Sequence, residues 1–219
     1  MTAALTLHTY WRSSAAWRVR IALHLKGLAF ESVPVHLVRD GGEQRTPGFA
    51  RRNPQQLVPT LQHDGAVLTQ SLAIIEYLDE TWPAVPLLPR DPLSRSRARA
   101  LAQLVACDIH PLGNLRVLQY LEHTLRIPAD ARTGWITRWV GDGLAAFEAL
   151  LVQHGAGEFC IGDAPTLADF ALVPQLYNAR RFGVDLTPYP VIRRIEAACV
   201  ALPAFEAAAP DRQADAPPA

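Results

Sequence analysis

The sequence predicts an α/β unit followed by an all-helical one. Residues 1–82 hold a strand–helix–strand pattern closed by a hairpin and a further helix. Prolines 83, 86, 89 and 92 then break the pattern, and helical periods dominate from residue 93 onwards. These three observations divide the 219 residues into an N-terminal domain over 1–82, a linker over 83–92, a helical domain over 93–210 and a flexible tail over 211–219.

Leu5 to Thr9 reads as the first strand and Ala16 to Lys26 as the first helix. In that helix Trp17, Ile21 and Leu25 recur at intervals of four, while Arg18 and Arg20 take other directions. Gly27 supplies a helix stop. Phe30 to Leu37 alternates as a second strand, Asp40-Gly41-Gly42 marks a loop, and Pro47 to Arg52 is a short helix. Val58-Pro59 stands directly before an apolar strand, where proline interrupts a ladder; a cis bond would reconcile the two and keep the Val58 main chain for another partner. Asp64-Gly65 is a hairpin signal between two short strands, and Ser71 opens an apolar-periodic helix, with Ile74, Ile75, Leu78 and Trp82 on its buried side.

Beyond the linker, helical periods run over 94–125, 131–154, 167–179 and 189–202. Pro111 and Gly113 should interrupt the first of these between Cys107 and Asn114. Thr166 and Asp169 form a capping box with a structural role.

Composition narrows the function classes. Apolar residues make up 49% and charged residues 19%, which suits a packed globular chain rather than a disordered one. The formal charge of zero argues against broad nucleic-acid binding, yet leaves room for a few arginines to hold a small anion. No apolar run is long enough to span a membrane, and the N-terminus lacks a basic region before its short apolar run. Cys107, Cys160 and Cys199 make neither a CxxC pair nor a metal pattern; they read as buried thiols in a reducing compartment, with cytoplasm the default. The histidines include no metal-binding pair, so no metal site is expected.

Two strand-to-helix corners carry the candidate chemistry. Arg12-Ser13-Ser14-Ala15 lies where helix amides, serine hydroxyls and the helix dipole together favour an anion. Either serine can equally cap the helix, and capping and binding are compatible. No GxSxG elbow accompanies them, so the hydroxyl is better suited to donate to a thiolate brought by a cofactor than to act as a nucleophile. Gln70-Ser71 is a second corner of the same character, suited to a carboxylate. Val58 offers its main chain to an extended peptide, and Gln44 could reach the same groove. Arg12, Arg116 and Arg181 present planar donor forks that match carboxylates; whether they converge is not legible in the spacing.

The string from Ser13 to Leu23 strongly resembles the signature of zeta-class glutathione transferases. The likeness continues through Asp40-Gly41-Gly42, Asn53-Pro54, Leu57 to Leu61, Gln70 to Leu78, Gly162-Asp163, Thr166 to Asp169, Leu172 to Gln175 and Val184 to Pro190. The class includes enzymes that isomerise maleylacetoacetate or maleylpyruvate. The resemblance implies a thioredoxin-like N-terminal domain, an all-helical glutathione-transferase C-terminal domain and a homodimer. It implies glutathione held by Ser13, Ser14, Gln44, Val58, Gln70 and Ser71, with His110 and Asn114 assisting. It implies that Ser13 and Ser14 activate the cofactor thiol and that Arg12, Arg116 and Arg181 receive the carboxylates of a small diacid. Ala15 departs from the usual Ser-Ser-Cys, and its methyl group can neither donate to a thiolate nor react. Two other classes fit the same fold: a general transferase that conjugates or dehalogenates small electrophiles, and a non-catalytic protein, which would not need the serine and arginine set.

Overall fold

The computed structural model describes residues 4–218, which fall into two compact units: one comprises the chain through Leu88 together with the segment from Val200, the other Pro89–Cys199. This division departs from the expected boundaries. The last part of the segment expected in the helical domain, and the expected tail, group instead with the N-terminal unit.

The N-terminal unit is built on a four-stranded sheet. Strands β1 (Leu5–Thr9), β2 (Phe30–Pro34), β3 (Thr60–His63) and β4 (Ala66–Thr69) lie in the order β2-β1-β3-β4. β1 and β2 are parallel and pair Leu7 with Ser32, while β3 runs antiparallel to both β1 and β4, with Leu61 opposite Leu7 and Leu68. The crossover between the parallel strands is α1 (Ser14–Leu25), which begins two residues earlier than its periodicity indicates because Ser13 serves as the N-cap. Three further helices complete the unit: α2 (Pro47–Arg52), α3 (Ser71–Thr81) and the C-terminal α9 (Pro203–Ala208).

α1 is buried on almost every face, which the intervals of Trp17, Ile21 and Leu25 do not convey. It packs against both α3 and α9, so Arg18 and Arg20 lie inside the unit rather than at its surface. Burial of Arg20 is supportable because its guanidinium donates to the Ala208, Tyr10 and Trp11 carbonyls and to the Thr9 hydroxyl, while Arg18 donates through Nη1 to Ser71 Oγ. The proline-rich connector is also tied down. Lys26 Nζ donates to the carbonyls of Trp82 and Val85 at 2.7 Å each, the Leu87 amide donates to Asp79 at 2.6 Å, and Leu87 and Leu88 are buried.

The helical unit contains α4 (Pro92–Gln103), α5 (Leu115–Gln119), α6 (Ala129–His154), α7 (Leu167–Arg181) and α8 (Pro190–Val200). The expected interruption of the first long helix is present as a π-helical stretch over Leu104–Ile109 and a 3₁₀ turn over His110–Gly113. α7 forms the centre of the unit, with an unbroken buried run from Leu167 to Leu176. Its start is fixed by Asp169, whose carboxylate accepts from the Thr166 amide at 2.7 Å, the Thr166 hydroxyl at 3.0 Å and the Cys160 amide at 2.9 Å. Burial pushes the Asp169 carboxyl up from its ordinary range, and these donors oppose that rise. Cys160 and Cys199 are buried as expected, whereas Cys107 is exposed on the π-helical stretch. α8 is capped from a distance by Glu148 on α6, which accepts from the amides of Val191 and Ile192 at 2.9 Å each.

α6 sets the position of the 104–113 segment. Trp135 Nε1 donates to the Leu112 carbonyl at 2.8 Å, and Gly143 faces Ile109 so closely that a Cβ there would lie 2.3 Å from the Ile109 side chain.

Two outcomes follow for stability. Asp169→Ala should lower the unfolding free energy by about 3 kcal/mol, because three buried donors lose their acceptor; Glu148→Ala should cost about 1 kcal/mol, the ordinary value of a cap. Equal losses in urea denaturation would contradict the role given to Asp169. Gly143→Ala should cost about 1–3 kcal/mol through overpacking. Adding Ile109→Ala should recover part of that loss, and strict additivity would show that the two positions do not meet.

Candidate functional site

In the N-terminal unit one apolar cluster includes Val58 and ties together segments next to other expected residues. Tyr10, Val35, Phe49 and Val58 form its buried part, with Trp11 and Leu37 packed against it. The cluster therefore joins the β1–α1 turn, the loop after β2, α2 and the segment before β3, which are far apart in sequence.

Ser13 both caps and remains able to donate. Its Oγ accepts from the Ala16 amide at 3.2 Å, which uses a lone pair and leaves the hydroxyl proton available. The first-turn amides of α1 cannot be satisfied within the helix, and no acidic side chain occupies that turn. The result is a positive, donor-rich corner suited to an anion. Ser14 is buried at the first helical position, and Ala15 follows with only a methyl group. The Arg12 guanidinium lies over the Trp11 ring at 5.2 Å, and no carboxylate among the described residues pairs with it.

The second corner shows a backbone signature. Gln70 has φ of 68°, a left-handed conformation that disfavours a residue with a side chain, and it immediately precedes α3. Its side-chain Nε2 donates to Gln55 Oε1 at 2.8 Å. Ser71 Oγ accepts at 3.2 Å from Arg18 Nη1, so its own proton is free to be donated outward. Arg18 thereby links the two corners: it sits about one turn into the helix that Ser13 starts and supports the serine that starts α3.

Gln44 is buried against Gly42. Its Nε2 donates to the Leu37 carbonyl at 3.2 Å, while Oε1 is buried with no hydrogen-bond partner. A buried amide oxygen without a donor is costly, and a ligand N–H would satisfy it. Gly42, at φ of 103°, is what allows the approach, since a Cβ there would fall 2.5 Å from Gln44. The Val58–Pro59 bond is cis, and the ladder between β1 and β3 begins only at Thr60, so Val58 lies outside it.

The remaining expected residues belong to the helical unit. His110 opens the 3₁₀ turn, and Asn114 caps α5 by accepting from the Arg116 amide at 3.2 Å. Arg116 is exposed. Of the adjacent Arg180 and Arg181, the first makes a bidentate pair with Glu196, and the second extends over the Phe182 ring at 4.5 Å. The pairing of Arg180 with Glu196 is not revealed by Arg180-Arg181 as a sequence.

Three participants were not legible as site residues: Arg18, Gln55 and Gly42. An arginine within the apolar run Trp17–Leu23 is the signal that could have marked Arg18, since a charge there must find buried acceptors. Among the described residues, no group of histidines, cysteines or carboxylates is arranged to hold a metal ion, and no helix is long and apolar enough to cross a membrane.

Comparison with known proteins matches this architecture. The model of the glutathione S-transferase N-terminal domain covers residues 12–81, and that of the C-terminal domain covers residues 129–210. The maleylacetoacetate isomerase of Pseudomonas aeruginosa is 52% identical over 216 residues, spanning 98% of this chain and 100% of the relative. A solved holo maleylpyruvate isomerase, described as a bacterial zeta-class glutathione S-transferase, superposes with a TM-score of 0.93 at 49% identity, covering 97% of this chain and 100% of the other. A maleylacetoacetate isomerase from Methylobacterium extorquens AM1, solved with malonate and glutathione bound, has a TM-score of 0.93 at 45% identity over 97% of this chain and 100% of that one. With both domain models matched and relatives of about half identity aligned along nearly the whole length, the chain belongs to the zeta class of the glutathione S-transferase family.

Proposed function

We propose that this protein is a glutathione-dependent cis–trans isomerase that converts a maleyl 2,4-dioxo diacid, maleylpyruvate or maleylacetoacetate, to its fumaryl isomer in aromatic-compound catabolism. The observation that carries the reading is the pair of corners joined through Arg18, with Ser13 and Ser71 each left with a proton to donate. Relatives and solved neighbours at about half identity bear the names of these two isomerases, and one holds glutathione together with a dicarboxylate.

The residues fit glutathione. The orphaned Oε1 of Gln44 would accept a peptide N–H, and the Val58 main chain would pair with the extended backbone. Ser71, the first amides of α3 and the nearby Arg18 charge suit a carboxylate, with Gln70 shaping the corner. Ser13 would donate to the sulfur, and Ser14 would assist. When bound, glutathione supplies a thiolate that adds reversibly to the cis double bond and so permits rotation. Ser13 and the α1 terminus favour the thiolate over the thiol, whose ordinary pKa is roughly 8.5. Arg12 stands beside this corner and is the cation available to stabilise charge that develops on conjugated oxygens. Arg116 and Arg181 are assigned to the substrate carboxylates, fixing the ends while the centre rotates, and His110 and Asn114 to supplementary contacts with glutathione. Ala15 takes no part beyond its helix amide, so the chemistry relies on the sulfur of glutathione. The working form is assigned as a cytoplasmic homodimer.

The test is a paired assay following loss of each maleyl substrate with and without glutathione. Conversion to the fumaryl isomer with no net thiol consumption is expected; stable conjugates and no isomerisation would replace this reading with general transferase chemistry. Ser13→Ala should lower kcat by about 10²-fold, as loss of one preorganised donor does elsewhere, with little change in the urea midpoint. Arg181→Gln should chiefly raise KM for the diacid, and an unchanged KM would remove Arg181 from the substrate site.

A further inference from the structure

The main-chain groups of the β1–α1 turn do not rely on the sheet. β1 ends at Thr9, and Ser13, the residue assigned to the thiol, is four residues further on. Between them the Tyr10 carbonyl accepts from the Ser13 amide at 2.9 Å and from Arg20 Nη1 at 3.3 Å. The Trp11 carbonyl accepts from Arg20 Nη2 at 2.9 Å. The Trp11 amide donates to a carboxylate oxygen of Asp215 at 2.9 Å, across more than two hundred residues of chain.

Arg20 also reaches the returning C-terminal segment. Its Nε donates to the Ala208 carbonyl at 3.0 Å and its Nη1 to the Thr9 hydroxyl at 2.9 Å, with no part of the residue exposed. From Ala208 the chain is led back towards the turn. Gln213 Nε2 donates to the carbonyls of Ala207 and Ala209, and Pro210 is buried. The expected tail is thus fastened at Asp215 to the residue just before Arg12.

We infer that the C-terminal segment is a strap that positions the thiol-activating turn, with Asp215 and Arg20 as its two fixing points. Asp215 holds the Trp11 amide from one side and Arg20 holds the Tyr10 and Trp11 carbonyls from the other, so Arg12 and Ser13 are presented from a turn clamped at both ends. Burial lowers the Arg20 guanidinium, to about 10 with the opposing pull of the Asp215 charge included, so the two fixing points also support each other electrostatically. This inference rests on the glutathione-dependent reading for its consequence, although the clamp itself does not depend on a ligand.

Geometry and charge make opposite forecasts, which allows a decision. Asp215 is an anion near the α1 terminus; if only its charge mattered, removing it would favour a thiolate and lower the pKa of the bound thiol. If it positions the turn, Asp215→Ala should raise that pKa, lower kcat by about tenfold or more through misplacement of the donors, and speed hydrogen exchange of residues 10–14 in the ligand-free protein. Asp215→Asn keeps an acceptor oxygen for the Trp11 amide and should recover most of the loss. Full-length variants are compared by the ultraviolet absorbance of the glutathione thiolate against pH, by exchange, and by turnover. A bound-thiol pKa in Asp215→Ala that is unchanged or lowered overturns the strap, whatever happens to its melting temperature. Parent protein that forms no thiolate with glutathione overturns the glutathione reading, and the strap's catalytic consequence falls with it. Parent protein that forms one, beside an unaltered Asp215→Ala, overturns the strap alone.

Discussion

Burying a guanidinium without an exposed atom is costly unless its donors find acceptors, and Arg20 finds them in carbonyls that need them. Tyr10, Trp11 and Ala208 each contribute a main-chain oxygen, and Thr9 contributes a hydroxyl. The turn after β1 has left the ladder at that point, and Arg20 supplies the Trp11 carbonyl with a donor and the Tyr10 carbonyl with a second one beside the Ser13 amide. The arrangement holds a loop without forming regular structure, so the turn can present side chains and amides while its own polar groups are occupied. α1 could not sit between α3 and α9 if its arginines had to reach solvent. The position of α1 in turn decides where Ser13 begins the helix.

Arg18 extends the same logic to the second corner. One guanidinium supports the strand end that leads into α1, and the other supports the serine that opens α3. A corner that binds an anion must keep its donors uncommitted, and both serines achieve this by acting as acceptors within the protein. Gln44 follows the converse pattern: its donor is committed to Leu37 and its acceptor is left over. Each serine thus keeps its proton for a ligand acceptor, and Gln44 keeps an oxygen for a ligand donor.

The helical unit is governed by different forces. α7 has no exposed face over its first three turns, so its orientation is set by packing and its start by the buried carboxylate of Asp169. α6 then supports two neighbours: Glu148 accepts two amides at the start of α8, and Trp135 with Gly143 meets the segment that carries His110. Between Leu104 and Thr124 the chain leaves regular α-helix in three stretches, Leu104–Ile109, His110–Gly113 and Tyr120–Thr124, which turns side chains away from the direction a continuous helix would give them.

Local rules were enough for much of this. A short apolar run located β1, Asp64-Gly65 marked the hairpin, Ser71 and the capping box marked helix starts, and Val58-Pro59 signalled a cis bond, because each of these depends on a few neighbouring residues. Family likeness supplied the candidate site, since a string such as Ser13 to Leu23 is kept as a unit. Burial of Arg18 and Arg20 was not legible: periodicity reports one apolar face, whereas α1 meets neighbours on several, and one of them arrives from the far end of the chain. The attachment of Asp215 to Trp11 escaped for the same reason, as a proline- and alanine-rich end has no period to betray a partner. The pairing of Arg180 with Glu196 also belonged to the tertiary structure, because identical charges side by side carry no local sign of which one meets a carboxylate sixteen residues away. The sequence alone settled what lies within a few residues' reach. Contacts between distant segments became visible only when the folded chain brought donors and acceptors within hydrogen-bonding distance.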